Sequence, residues 1–100
     1  MKVELSPRAK RELERIVEWW KAEQGEAPKT VFAELRQAAR LLASFPEHGN
    51  RYALVRGRQV LRLLLRESQL HLYYRVDDNV VRVLAIWSTA RRRAPRFGKP

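Results

Sequence analysis

The sequence predicts an α+β fold: an N-terminal strand, an antiparallel helix hairpin, and an antiparallel β-meander that carries the hairpin on one face. Three observations predict it. Apolar residues recur at helical spacing in two stretches before Pro46. From Gln59 onward the period changes to strict alternation. Two turn signals in that second half imply registers that place all the alternating apolar residues on one side.

Met1–Leu5 reads as a short strand, with Val3 and Leu5 on one side and Lys2 and Glu4 on the other. Ser6-Pro7 starts a helix, the serine as N-cap and the proline at the first helical position, where its missing N–H costs nothing. Ala9, Leu13, Ile16, Val17 and Trp20 then form one helical face, and Gly25 ends the helix. Trp19 must point to the helix margin, as a packing filler or a partner contact. Glu12, Glu14, Glu18 and Glu23 sit at ion-pair spacing from Lys and Arg and read as a solvated face. Pro28 opens a second helix. Its inner face is Val31, Leu35, Ala38, Leu42 and Phe45, with Phe32 and Ala39 beside it, and Pro46 stops it. The short link makes the helices an antiparallel pair.

Phe45–Gly57 is a connector in which Tyr52–Val55 is a candidate further strand. Leu61, Leu63 and Leu65 alternate with Val60, Arg62, Leu64 and Arg66. Leu70, Leu72, Tyr74 and Val76 alternate with His71, Tyr73 and Arg75. Val81, Val83, Ala85 and Trp87 alternate with Val80, Arg82, Leu84 and Ile86. A turn at Glu67-Ser68 sets Leu65 opposite Leu70, Leu63 opposite Leu72 and Leu61 opposite Tyr74. A turn at Asp78-Asn79, where both residues tolerate positive φ, sets Val76 opposite Val81, Tyr74 opposite Val83 and Leu72 opposite Ala85. One face of the meander is thus apolar throughout, and it is the face the helices need. The expectation is one domain over residues 1–100, with a basic tail from about residue 88.

Composition narrows the function. There is no cysteine, which excludes disulfide and thiolate chemistry. No apolar run spans a bilayer and the N-terminus has no signal-peptide core, so a cytoplasmic protein without membrane contact is expected. Residues 1–50 hold nine Lys+Arg and eight Asp+Glu, a net of +1. Residues 51–100 hold twelve and three, a net of +9 within the chain's +10. Eleven of those twelve are arginine, whose planar fork pairs with carboxylate or phosphate, so an anionic partner is expected. The second face of the meander mixes Arg62, Arg66, Arg75 and Arg82 with His71, Tyr73, Leu84 and Ile86, which is the composition of a binding face rather than a solvated one. Arg75 opposite Arg82 is a like-charge pair that a bound anion would relieve. The tail, with Arg91, Arg92, Arg93, Arg96 and Lys99, is expected to leave beside this face and extend it. Two isolated histidines give no metal cluster, and four glycines give no phosphate loop, so no cofactor is expected.

The stretches "LSPRAKRELERIVEWW", "LRQAARLLASFPEHGNR" and "VLRLLLRESQLHLYYRVDDNVVRVLAIWSTARRR" resemble, in order and spacing over nearly the whole chain, the RelE/ParE-type toxins of bacterial toxin–antitoxin pairs. "LLASFPEHG" is similar to the family's L-x-x-x-P-x-x-G connector. The resemblance implies a growth inhibitor that forms a hetero-oligomer with an antitoxin bearing an acidic, amphipathic segment. RelE-type members cut messenger RNA on the ribosome and commonly carry a C-terminal His or Tyr. Here residues 87–97 contain arginines but neither of those, which favours the ParE-type, a binder of DNA gyrase without a nuclease site. The expected target- or antitoxin-binding residues are Arg62, Tyr73, Arg75, Arg82, Arg91, Arg92 and Arg93. The rival ribonuclease would use Arg62, His71, Tyr73 and Arg91. A third reading is a basic nucleic-acid-binding module that is not a toxin.

Overall fold

A computed structural model describes residues 1–97 of the chain, so Lys99 of the expected basic tail lies outside the described residues. Strand β1 (Lys2–Leu5) leads into helix α1 (Pro7–Gln24). Helix α2 (Lys29–Ser44) follows, then β2 (Asn50–Val55), β3 (Arg58–Leu65), β4 (Leu70–Asp77) and β5 (Val80–Ser88). The five strands form one sheet in the order β1-β5-β4-β3-β2, antiparallel except for β1, which pairs parallel with β5. Both helices cover one face.

Local chemistry sets the helix ends. The Ser6 hydroxyl accepts the Ala9 N–H at 3.0 Å, and Pro7 takes the first helical position. Gly25 closes α1 in the left-handed region, φ 76°, and donates its N–H to Lys21. The helix-side core joins Ala9 of α1, Val31, Ala38 and Leu42 of α2, and Leu61, Leu65, Leu70, Leu72, Tyr74, Val81, Val83 and Ile86 of the sheet, with Trp20 packed against it. Trp19 is exposed and meets Trp20 edge-on at 5.7 Å. Phe45, expected on the inner face, is 64% exposed: it is the C-cap of α2, with a non-helical backbone that turns it off the apolar stripe.

The β3–β4 register is the expected one, Leu65 to Leu70 through Leu61 to Tyr74. The loop is wider than a two-residue turn: Arg66–Gln69 stand outside the ladder, and the Glu67 and Ser68 N–H groups donate to the Glu34 carboxylate of α2 at 3.1 and 2.6 Å. Burial pushes the Glu34 carboxyl up, but these bonds outweigh it and hold its pKa below the ordinary value. The β2 strand is real and longer than Tyr52–Val55, with an irregularity at Tyr52.

The second hairpin departs from the expected register after its first pairs. Val76 meets Val81 and Tyr74 meets Val83, but Tyr73 meets Ala85 and Leu72 meets Ile86. Leu84 is the extra residue of a β-bulge, which shifts everything beyond it by one position. Ile86 therefore joins the helix-side core, while Ala85 and Trp87 lie on the opposite face, the reverse of the simple alternation.

Candidate functional site

The second sheet face has its own small core. Val60, Tyr73 and Ala85 are buried there, and Tyr52, Val55, Leu84, Trp87 and Phe97 pack around them. The C-terminal segment does not leave beside this face. It folds back across it, burying Pro95 and laying Phe97 against Tyr73, 5.6 Å between ring centroids, and Tyr52 at 6.4 Å. Tyr52 in turn meets Tyr73 edge-on at 4.8 Å. Arg8, from the first turn of α1, holds the segment: its guanidinium lies 5.2 Å from the Phe97 ring centroid and donates to the Arg96 carbonyl.

Beneath this clamp Glu12 fastens α1 to β5. β1 covers β5 only as far as Val83, so the next backbone groups need other partners. Ser6 supplies two: its N–H donates to Val83 O at 2.9 Å and its hydroxyl to Leu84 O at 3.1 Å. The Glu12 carboxylate accepts the Ile86 N–H at 3.0 Å, the Trp87 indole N–H at 2.7 Å and the Arg8 Nε–H at 3.3 Å. Its side chain is only 13% exposed, so the solvated reading of this residue is corrected.

The predicted binding residues fall at the two ends of the face. At one end Arg62 pairs across strands with Tyr73 and lies 5.3 Å from the Tyr52 ring centroid. His71 stands 6.0 Å from the Tyr73 centroid and opposite Trp87, over which the Arg91 guanidinium sits at 4.5 Å. Burial and the Arg62 charge hold the His71 pKa below its ordinary value. Arg62, His71 and Tyr73 are thus neighbours, and Arg91 adjoins them through Trp87. Tyr73, however, is only 4% exposed beneath Phe97, in a place suited to packing rather than to meeting a substrate. Arg92 and Arg93 are exposed.

At the other end Arg75 and Arg82 do stand opposite each other, but the chain itself relieves the repulsion. Asp77 accepts from Arg75 Nε at 2.8 Å and from Arg58 Nη1 at 2.9 Å, and Arg82 Nε lies 3.6 Å from it. Arg82 also reaches Glu4 at 3.5 Å. Burial works against the charged Asp77, but the Arg75 bond and the three guanidinium charges outweigh it and depress its pKa. No external anion is required. Sequence reasoning passed over Asp77 although a signal was present, since it lies two residues past Arg75 and hence on the same strand face.

Among the described residues, no group of three His, Asp or Glu side chains is placed to hold a metal ion. No helix among the described residues is long and apolar enough to cross a membrane.

The arrangement, a two-helix hairpin on a five-stranded sheet, is that of a known class. A chain of a solved structure described as "Chromosomal ParDE TA system from P. aeruginosa" superposes with a TM-score of 0.66 over 88% of this chain and 95% of that one, at 17% sequence identity, a likeness of fold. No curated protein matches significantly in sequence. The family model described as "ParE toxin of type II toxin-antitoxin system, parDE" matches residues 3–93. The chain belongs to the ParE toxin family of type II toxin–antitoxin systems.

Proposed function

We propose that this chain inhibits bacterial growth from within the cytoplasm by binding DNA gyrase, and that a cognate antitoxin neutralises it in a hetero-oligomer. The reading rests on the state of Tyr73. The rival ribonuclease needs a proton-transfer group that reaches the RNA 2′-hydroxyl. Tyr73 lies beneath Phe97 instead, and Arg62 and Arg91 are poor bases that rest on aromatic rings, which leaves the half-buried His71, beside Tyr73 and opposite Trp87, as a lone base with no second proton-transfer group among the candidates to protonate the leaving oxygen. Arg75, Arg82, Arg91, Arg92 and Arg93 then act as contact residues, pairing with anionic groups of a protein partner.

The test is pulse labelling in bacteria after induction of this chain alone. DNA synthesis should fall within minutes while protein synthesis continues. An early fall in translation with cleaved messenger, abolished by Arg62→Ala or Tyr73→Phe, would overturn the gyrase reading in favour of the nuclease.

A further inference from the structure

The loop between β2, the outermost strand, and β3 breaks a local rule. Val55 pairs with Arg58, so Arg56 and Gly57 alone make the turn, and both have positive φ, 54° and 77°. That is the type I′ pattern, whose first position favours Asn, Asp or Gly because a larger side chain is crowded there. Here it holds an arginine. The other two non-glycine residues at positive φ have local reasons for it. Asp78 is of a type that adopts it readily, and the Gln69 side chain bonds to the Arg66 carbonyl and the Thr89 hydroxyl. Arg56 has no such reason: it is exposed, and its guanidinium has no ion pair among the described residues. A Cβ placed on Gly57 would meet nothing within 4 Å beyond its chain neighbours. The turn therefore holds an arginine clear of the protein, at a conformational cost that no contact among the described residues offsets.

We propose that the Arg56-Gly57 tip contacts duplex DNA, with Arg56 entering the minor groove of A·T-rich sequence. The minor groove of B-DNA is about 6 Å wide, too narrow for a two-stranded ribbon but open to one extended side chain. A·T tracts narrow it further and concentrate its negative potential, which draws in arginine. Gly57 has no side chain to hold the turn backbone off the lip of the groove. Charge sets the side of approach. Glu47 and Asp78 border the helix side of the hairpin. On the second face Arg58 and Arg75 lie beside Arg56, ordered by the single carboxylate of Asp77 that they share with Arg82, and they can reach flanking phosphates. Other anions fit less well. A single strand stacks its bases on open aromatic rings, and Tyr52, Tyr73 and Phe97 pack mainly against one another. Duplex RNA has a wide, shallow minor groove. An exposed ion pair with an acidic protein gains too little to favour one cation in a crowded backbone conformation. The contact goes beyond the gyrase reading and stands without it.

The experiment follows the anisotropy of a fluorescein-labelled duplex of about 20 base pairs with a central A-tract, bound by the full chain at one fixed salt concentration. A G·C duplex of equal length is the comparison. Arg56→Asn removes the guanidinium but suits the turn, so the urea midpoint should hold or rise while affinity for the A-tract duplex falls about tenfold. Arg40→Asn makes the same change in net charge on an exposed position of α2 and should cost less than about threefold. The chain should prefer the A-tract over the G·C duplex, whose guanine amino group stands in the groove, by about threefold or more, and Arg56→Asn should lose that preference. No duplex binding, equal weakening by the two variants, no preference for A·T, or a lower urea midpoint for Arg56→Asn would overturn the proposal. Tighter binding of oligothymidylate or polyglutamate at equal charge would overturn it too, by assigning the tip to a single strand or an acidic protein. A chain that arrests DNA synthesis but binds the duplex without need of Arg56 loses the hairpin contact alone. One that needs Arg56 for the duplex and leaves DNA synthesis untouched loses the gyrase reading alone.

Discussion

Replacing Glu12 with alanine should destabilise the protein far more than a glutamate on a helix surface would suggest. The substitution removes the only acceptor shown for two donors, the Ile86 N–H at 3.0 Å and the Trp87 indole N–H at 2.7 Å. A buried donor left unpaired costs about 1–3 kcal/mol. Ile86 is 1% exposed, so its N–H should carry the upper part of that range; Trp87 is half-buried, so water can partly replace the carboxylate. The Arg8 pair adds little, because Arg8 is partly exposed. The sum is about 3 kcal/mol, or about 12–20 °C in Tm for a chain of this size. Glu12→Gln should cost about 2 kcal/mol, since its amide NH₂ would confront one of the two N–H donors. In urea unfolding followed by far-UV circular dichroism, Glu12→Ala combined with Trp87→Phe should fall short of additivity by about 1 kcal/mol, because both changes break one bond. A loss below about 1 kcal/mol for Glu12→Ala, or full additivity with Trp87→Phe, would refute this account of the α1–β5 attachment.

Three further outcomes are expected. Gly49→Ala should cost about 1–3 kcal/mol in the same urea assay, because its Cβ would stand 2.7 Å from the Tyr74 hydroxyl oxygen and 2.9 Å from the Arg62 carbonyl oxygen, and Tyr74 is fully buried and bonded to Gly49 N–H at 2.8 Å. Phe97→Ala should free the C-terminal segment, so trypsin should cut after Arg91–Arg93 about tenfold faster while the global midpoint moves by only about 1–2 kcal/mol. The His71 pKa is lowered from its ordinary 6.5 on folding, so the unfolded chain binds the proton more readily; stability should fall as pH drops below 6.5 towards the folded value. His71→Gln should flatten that part of the urea-midpoint profile, and an unchanged slope would exclude His71 as its source.

Much of the fold was legible in the sequence because each signal had an independent check. The β3–β4 register follows from alternation and from loop length together, and a one-residue slip would have turned Leu61, Leu63 and Leu65 to the wrong face. The bulge at Leu84 was not legible. "VLAIW" is apolar at every position, so alternation had nothing to report, and the order of Ile86 and Trp87 could not be read from it. Glu12 was misread for a different reason. Its helical spacing from Arg8 is real, but its main partners are 74 and 75 residues away and carry no local mark. The fold-back of the tail was hidden in the same way, since Pro95 and Phe97 are single apolar residues without a period.

These features bear on how one face can both hold itself together and meet the partner proposed for it. Tyr73 and Phe97 are spent on packing, as are the inward groups of Arg8 and Glu12. Arg91 rests on Trp87, whose indole is held by Glu12, so the start of the basic tail is fixed by the same bonds that attach α1 to β5. Arg92 and Arg93 come next, exposed, from that fixed point. At the opposite end a single carboxylate, Asp77, is shared among three guanidiniums, which orders Arg58, Arg75 and Arg82 without neutralising them. An ordered cation loses less side-chain entropy on pairing than a free one. The excess charge of the second half is therefore held ready at both ends of a face whose centre is already closed, and on the proposed reading a partner would gain its affinity from those ends rather than by entering the middle.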